Sequence, residues 1–217
     1  MKIKTIILSI VILSSCDNMV RFEVPQPEGR QNEKSIPKKL LGTYSSLTDS
    51  STLIITKTHI ISFSKFDIAG LVSELDSVDR VKYKTDTTFS DLEGNMKVDV
   101  TIINDSIFEH TDYRDTLFDF SNNDVLRKFK GYYFLNHETS RKNWFVTKLG
   151  VTKNGLVLGT ISDSKDLENL RELTNTKSDT IYSFNPTRKE LKKFLKDNGF
   201  RNEKRFVKNE YGPQQKL

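Results

Sequence analysis

A long succession of short runs rich in β-branched and aromatic residues, separated by short polar turns, constrains the fold of this chain most. Residues 53–56 (Leu-Ile-Ile-Thr) and 59–63 (His-Ile-Ile-Ser-Phe) are the first two runs. Runs of this length and composition are typical of strands. Further strands are predicted over residues 80–89, 97–104, 106–110, 116–121, 129–136, 144–151, 156–162 and 180–184.

The connections between these runs indicate how the strands pair. Residues 104–105 and 153–155 are two of them, and each is only two or three residues long. A parallel crossover needs a dozen or more residues, so neighbouring strands should form antiparallel hairpins. We therefore expect a mostly β, α+β fold: a curled antiparallel sheet, barrel-like or a sandwich, covered by two short helices.

The clearer of the two helices is predicted near the C-terminus, over residues 187–198. Thr187 and Glu190 are three residues apart, as in a capping box. The apolar stripe of this helix would consist of Leu191, Phe194 and Leu195. Gly199 and Phe200 predict a Schellman stop in which Phe200 contacts that stripe at Leu195. The other face of the helix is rich in Lys and Arg, and solvation is the simplest reading of it.

A second helix is predicted over residues 164–173. Leu167, Leu170 and Leu173 recur there at helical spacing, so they would share one side of the helix. Because the segment lies between two predicted strands, the helix should cover one end of the sheet.

Composition favours a single folded domain over residues 40–217. The chain has 35% hydrophobic residues, with 14 Phe and 7 Tyr, which is enough to fill a core at this length. Its net charge is +5, and basic and acidic residues are interspersed with no basic patch between aromatics. We therefore expect no nucleic-acid partner.

The N-terminus has the pattern of a secretion signal over residues 1–15. Lys2 and Lys4 precede a nearly continuous apolar run over residues 5–13. A run of about nine residues is roughly half of the ~20 that a transmembrane helix needs, so this segment predicts export and removal.

The signal ends in Leu13-Ser14-Ser15-Cys16, an apolar residue and two small residues before a cysteine. This sequence resembles the lipobox of bacterial lipoproteins, which implies that Cys16 carries diacylglyceryl and palmitate chains. Cys16 is the single cysteine of the chain, so no internal disulfide competes for it. Two or three acyl chains hold a protein stably on a membrane. The resemblance therefore implies a membrane partner through the lipid on Cys16.

Localisation to the cell envelope follows from the same resemblance. Asp17 is similar to an inner-membrane retention signal of enteric bacteria. The Lys, Asn, Ile and Ser-rich usage, however, is similar to that of uncharacterised lipoproteins of the Bacteroidota, in which outer-membrane anchoring is usual. We expect anchoring in the outer membrane, with residues 16–39 as a flexible tether because this stretch is polar and interrupted by prolines. The alternative is a strand around residues 20–24 that docks on the domain.

Metal and cofactor chemistry has little support in the sequence. His59, His110 and His137 are far apart and form no metal-ligand pair. We expect no cofactor and no metal.

Catalytic patterns are equally sparse. No Gly-x-Ser-x-Gly motif is present. The acidic pairs Asp91/Glu93 and Asp112/Asp115 could serve a glycosidase if each pair converged in space. Residues 91–95 (Asp-Leu-Glu-Gly-Asn) could also suggest a calcium loop, but the closing bidentate Glu of such a loop is missing, so we expect a hairpin turn there. No residue is assigned a catalytic role.

Aromatic residues are concentrated in two successive predicted strands. They are Tyr132, Tyr133, Phe134, Trp144 and Phe145. Alternation places Tyr132 and Phe134 on one face and Tyr133 on the other. Core packing should take most of them, and an outward ring could line a surface for an envelope protein or an apolar ligand.

The sequence is compatible with three functions. We expect a non-catalytic binding or accessory lipoprotein of the cell envelope. One alternative is an envelope hydrolase with a carboxylate site. The other is an inhibitor or immunity lipoprotein, suggested by the small size and the basic helix face.

Overall fold

The computed structural model describes residues 20–77, 80, 83, 88–91, 94–139, 141–176 and 183–209. These residues divide into two compact units. The smaller unit is Ser62–Asp115, and the larger unit consists of the described residues on either side of it. The chain passes from one unit to the other within two long strands. The sequence had predicted a single domain over residues 40–217.

Thirteen strands and two α-helices are present in the described residues. The strands are β1 (Arg21–Phe22), β2 (Gly42–Ser46), β3 (Thr52–Ile55), β4 (His59–Leu71), β5 (Thr88–Ser90), β6 (Met96–Ile103), β7 (Ser106–Asp119), β8 (Val125–Phe129), β9 (Tyr132–Glu138), β10 (Trp144–Val151), β11 (Gly155–Thr160), β12 (Ser183–Phe184) and β13 (Asn202–Lys208). The helices are α1 (Ser164–Thr174) and α2 (Arg188–Lys196). The predicted mostly β fold with a C-terminal helix is confirmed.

The strands of the larger unit pair mainly with antiparallel neighbours. β8, β9, β10, β11, β13, β2 and β3 follow one another in that order. β1 pairs antiparallel with β10 but parallel with β12, so the sheet is mixed where the sequence predicted it to be antiparallel. The parallel pair joins residues 21–22 to residues 183–184. Loop lengths predict pairing between consecutive strands, so they could not predict a pair between such distant segments.

Two apolar clusters fill the larger unit. One contains Tyr44, Leu53, Phe118 and Leu149 among its buried members. The other contains Leu170 of α1 together with Leu191 and Phe194 of α2. Both predicted helices therefore pack by the apolar sides that their leucine spacing indicated.

The ends of α2 show one prediction confirmed and one corrected. Thr187 and Glu190 form the predicted capping box, since each side chain accepts from the other residue's backbone N–H. At the C-terminus the left-handed residue is Asn198, with φ of 59°, and Gly199 donates to the carbonyl of Phe194 at 2.9 Å. This is a Schellman motif placed one residue earlier than predicted.

Gly199 is required at this end for a different reason. A Cβ there would lie 2.5 Å from the Phe194 ring, so the position admits no side chain. The following Phe200 packs edge-on against the same ring, with centroids 5.5 Å apart.

Residues 20–39 are folded as part of the larger unit, so the prediction of a flexible tether is wrong for this part of 16–39. Val20 and Phe22 are buried in the core with the two helices, and Ile36 is buried in the other cluster. The strand considered around residues 20–24 is present as β1. Residues 16–19 lie outside the described residues.

Two polar side chains hold this segment in place. Asn136 accepts a hydrogen bond from the Gln26 backbone N–H at 2.6 Å and donates to the Gln26 carbonyl at 2.9 Å, as a neighbouring strand would. Arg127 donates to the carbonyls of Pro25 and Pro27. These groups replace the backbone pairing that a proline-rich segment cannot supply itself.

The smaller unit is built on the long strands β4 and β7, followed in order by β6 and β5. β6 and β7 pair antiparallel from Met96↔Tyr113 to Ile103↔Ser106. Its core is small and contains Leu75, Val100 and Ile107. Within the described part of the chain, no helix is both long and apolar enough to cross a membrane.

Candidate functional site

Exposed large apolar side chains are concentrated in the smaller unit. In the larger unit the described residues of this kind are Leu47 and Val151. In the smaller unit they are Phe66, Ile68, Leu71, Met96, Ile102, Ile103, Phe108 and Tyr113. Apolar side chains that cluster on a surface mark binding sites more often than those scattered singly.

The sheet of the smaller unit has two unlike faces, which the register defines. Val100 and Ile107, on one face, are buried in the core, and we call this the packed face. A Cβ on Gly70 would lie 3.5 Å from the Ile107 side chain, so position 70 of β4 belongs to the packed face. Side chains alternate along a strand, so Phe66 and Ile68, four and two residues earlier, belong to the same face.

We call the opposite face the open face. Its side chains include Lys65, Asp67, Leu71, Lys97, Asp99, Ile103, Phe108, His110 and Asp112. All of them are exposed or half-buried.

Three apolar residues form one end of the open face, and we call them the apolar tip: Leu71, Ile103 and Phe108. Phe108 pairs with Thr101, and Ile103 pairs with Ser106 beside the turn between β6 and β7. The residue after Leu71, Val72, donates its N–H to the carbonyl of Asp105 in that turn at 2.9 Å. Each tip residue is more than two-fifths exposed.

Charged residues continue the open face beyond the apolar tip. His110 Nδ1 lies 2.7 Å from Asp67 Oδ1, and its Nε2 lies 3.7 Å from Asp112. Lys65 forms an ion pair with Asp112 at 2.9 Å. These four side chains come from β4 and β7, and sequence reasoning missed the cluster because only the pairing of the two strands brings them together.

The carboxylate beside this cluster is held in its charged form. The hydrogen bond from Lys97, at 2.8 Å, and that from Thr88, at 2.9 Å, lower the pKa of Asp99. The hydrogen bond between Lys97 and Asp99 also raises the pKa of Lys97. A general acid needs the opposite shift, so this exposed ion network suits recognition of a polar surface better than proton transfer.

The acidic pairs considered for hydrolysis do not form a site. Asp112 lies on the open face, whereas Asp115 is three residues further along the same strand and belongs to the other face. Glu93 lies outside the described residues, so the Asp91/Glu93 pair has no structural account.

The three histidines have separate local roles. His137 Nδ1 lies 2.9 Å from the buried carboxylate of Asp124. His59 Nδ1 lies 3.2 Å from the hydroxyl of Thr58. His110 is on the open face. Among the described residues, no group of three or more His, Cys, Asp or Glu side chains is arranged to hold a metal ion.

The clustered aromatic residues belong mainly to the core. Tyr133 is buried in one apolar cluster, while Phe134 and Tyr132 pack in the other. The predicted division of these three rings between two faces is confirmed. Both faces of β9 are therefore covered by apolar packing. Trp144 packs against the second cluster as well.

Two buried charges in the larger unit have structural partners. Lys148 donates to the Gly199 carbonyl at 3.1 Å and to Glu203 at 3.2 Å. Burial raises the pKa of Asp166, although hydrogen bonds from the backbone N–H and guanidinium of Arg201 oppose that shift. Both contacts join the region after α2 to the rest of the unit.

A polar groove lies on the surface of the larger unit. It has a volume of about 390 Å³ and is lined by residues 30–35 and Lys128. The guanidinium of Arg30 donates to the backbone carbonyl of Lys128 at 3.3 Å, and this hydrogen bond joins two sides of the groove. It presents charges of both signs to solvent and has no apolar floor.

Comparison with protein-family models, with curated proteins and with solved structures finds no match to this chain. The function is therefore argued from its own residues. Cys16, the one residue to which the sequence assigns a chemical role, lies outside the described residues, and its lipidation stays a prediction.

Proposed function

We propose that this chain is a non-catalytic accessory lipoprotein of the bacterial cell envelope, which binds a protein partner through the open face of its smaller unit. Two independent observations support the two parts of this proposal. The Leu13-Ser14-Ser15-Cys16 sequence supports the anchor, and the apolar tip beside a charged cluster supports the binding surface.

The arrangement of apolar and charged side chains on the open face supports its proposed role as the binding surface. Protein interfaces have an apolar centre, enriched in aromatic residues, and a polar rim. The apolar tip offers Phe108 as such a centre, and the ion network of Lys65, Asp67, His110 and Asp112 offers a polar rim. Burial of the exposed apolar side chains against a partner would stabilise the complex by roughly 25 cal/mol per Å² of apolar surface removed from water.

The anchor is tested by metabolic labelling of the full-length chain expressed in a bacterium that processes lipoproteins. Wild type should incorporate labelled palmitate and fractionate with the outer membrane. Cys16→Ala should incorporate none and accumulate as an unprocessed precursor, while Ser15→Ala keeps a small residue and should be processed normally. Equal labelling of wild type and Cys16→Ala would disprove the anchor.

The binding surface is tested by photo-crosslinking in intact cells. A photoreactive amino acid at position 108 should give one dominant product with a particular envelope protein. Val151 is the matched control because it is 44% exposed, against 45% for Phe108, but belongs to the larger unit. The product should be lost when Leu71→Asp is added, since a charge at the tip prevents apolar contact. Identical products at positions 108 and 151, or a product insensitive to Leu71→Asp, would rule this surface out.

A further inference from the structure

The outer part of β4 is a free sheet edge. β3 has four residues and is joined to β4 by a three-residue turn, so it can pair only with the beginning of the thirteen-residue β4. On its other side β4 pairs with β7. Over residues 65–71, no strand among the described residues covers the edge that faces away from β7.

A free edge is a template for another strand, and natural proteins usually block it. Proline is absent from β4, and residues 65–68 alternate charged and exposed apolar side chains. Phe66 and Ile68 are 42% and 40% exposed on the packed face. Lys65 and Asp67 flank Phe66 on the open face, each paired with a side chain of β7.

We propose that this edge pairs antiparallel with the same edge of a second copy of the chain, about a two-fold axis at Phe66. Residues directly opposite each other in an antiparallel pair share a face. This register sets Phe66 against Phe66 of the second copy. It also sets Lys65 against Asp67 of the second copy, and the symmetry repeats that pair.

Charge complementarity selects this register over its neighbours. An axis at Lys65 or at Asp67 would oppose two like charges, which destabilises a pair of strands. An axis at Ile68 would place Lys65 opposite an apolar Leu71. Only the axis at Phe66 opposes unlike charges on one face and two aromatic rings on the other. The single lysine of this edge therefore specifies a register instead of blocking the edge.

Site-specific disulfide formation tests the register in the purified full-length chain, in non-ionic detergent with a mild oxidant. In the proposed dimer the two copies of residue 66 lie directly opposite each other. Their Cα atoms are then within the roughly 4.4–6.8 Å that a disulfide spans, so Phe66→Cys should allow the two thiols to react. Ser64→Cys is the matched control on the same face, because the two copies of residue 64 would be ~13 Å apart at 3.3 Å per residue. Wild type, whose sole cysteine is Cys16, sets the background.

Phe66→Cys should form a disulfide dimer about tenfold faster than Ser64→Cys. Equal rates, or no dimer in either variant, would overturn the proposal.

A second measurement does not depend on cysteine chemistry. Phe66→Asp opposes two carboxylates at the axis, so the dimer seen by light scattering should dissociate while the circular dichroism spectrum stays native. Phe108→Asp is equally exposed but lies away from the edge, so it should remain dimeric. Monomeric wild type at every concentration, or loss of the dimer in both variants, would contradict the model.

This inference does not rest on the proposed function. Failure at position 66 leaves the apolar tip and the anchor untouched, and failure of crosslinking at position 108 leaves the edge pairing untouched.

Discussion

The larger and the smaller unit use similar strands but treat their apolar side chains differently. In the larger unit, Tyr133 and Phe134 point to opposite faces of β9 and both are buried. In the described part of the smaller unit, the buried apolar cluster lies on the packed face, and Phe108 stays exposed on the open face.

The difference arises from what covers each sheet. Both helices and residues 20–39 pack on the strands of the larger unit, so these strands have apolar neighbours on both sides. In the smaller unit, Leu75, Val72 and Tyr83 pack on one face. A sheet with one face in water normally makes that face polar. The apolar tip departs from this rule, which is why the proposed binding surface lies in the smaller unit.

Truncating a phenylalanine in each unit should give the largest contrast. Phe134→Ala removes a fully buried ring that contacts Phe200, so it should lower the free energy of unfolding by about 3–5 kcal/mol. Phe108→Ala should change it by less than about 0.5 kcal/mol, because the ring is exposed. Urea denaturation followed by circular dichroism measures both, and fluorescence of Trp144 reports on the larger unit. A comparable loss for Phe108→Ala would mean that the tip is part of a core.

Adding a methyl group to a glycine in each unit should give effects of opposite sign. In Gly155→Ala the new Cβ would lie 1.9 Å from the Phe206 carbonyl oxygen, so strands β11 and β13 must separate. We expect a loss of about 1–3 kcal/mol. In Gly70→Ala the Cβ meets Ile107 at an ordinary 3.5 Å, and the variant should gain up to about 0.5–1 kcal/mol. Thermal unfolding measures both variants. Equal changes in the melting temperature would contradict the expectation that the close contact at position 155, and the ordinary contact at position 70, decide the effect of the added methyl group.

The smallest expected contrast concerns pH. Burial alone would raise the pKa of Asp49 in the larger unit, but hydrogen bonds from Lys204, Ser51 and Ser46 lower it well below its usual value. A carboxyl group whose folded-state pKa lies below the unfolded value of about 3.9 stabilises the fold above that pH. This stabilisation is lost as the pH falls further.

Asp49→Asn should therefore reduce the loss of stability between pH 4 and pH 2, with an effect at neutral pH of no more than about 1 kcal/mol for a largely exposed ion pair. Asp99→Asn, in the smaller unit, should show a weaker pH effect that disappears in high salt, since the Lys97–Asp99 ion pair lies at the surface. Urea unfolding midpoints at pH 7, 4 and 2 measure both. A wild-type acid response in Asp49→Asn would refute the assignment.

Local patterns predicted much of the fold. The predicted strand over residues 144–151 has the bounds of β10, and the leucine spacing of α1 places Leu170 in the core. β2, β8 and β13 were missed. Their sequences are short or rich in Ser, Lys and Arg, and they become strands because neighbours on both sides, or a hairpin partner, supply hydrogen bonds. Propensity in strands depends on such context. Strands predicted over residues 106–110 and 116–121 proved to be parts of the single strand β7.

The candidate site was not predictable from the sequence. Asp112 and Asp115 were considered as a pair because they are close in the chain, yet alternation along β7 separates them. Asp67 and His110 are 43 residues apart and lie 2.7 Å from each other. Contacts of this kind depend on register, which no short pattern of one strand contains.

The sequence by itself determined the mostly β class and the capped C-terminal helix, and it predicts lipidation at Cys16, because each depends on residues close together in the chain. Only the tertiary structure decided that residues 20–39 are folded, that the chain divides into two units, and that an open face with an apolar tip exists. These properties depend on which distant strands pair and which faces remain uncovered, and the energies that decide them come from long-range packing.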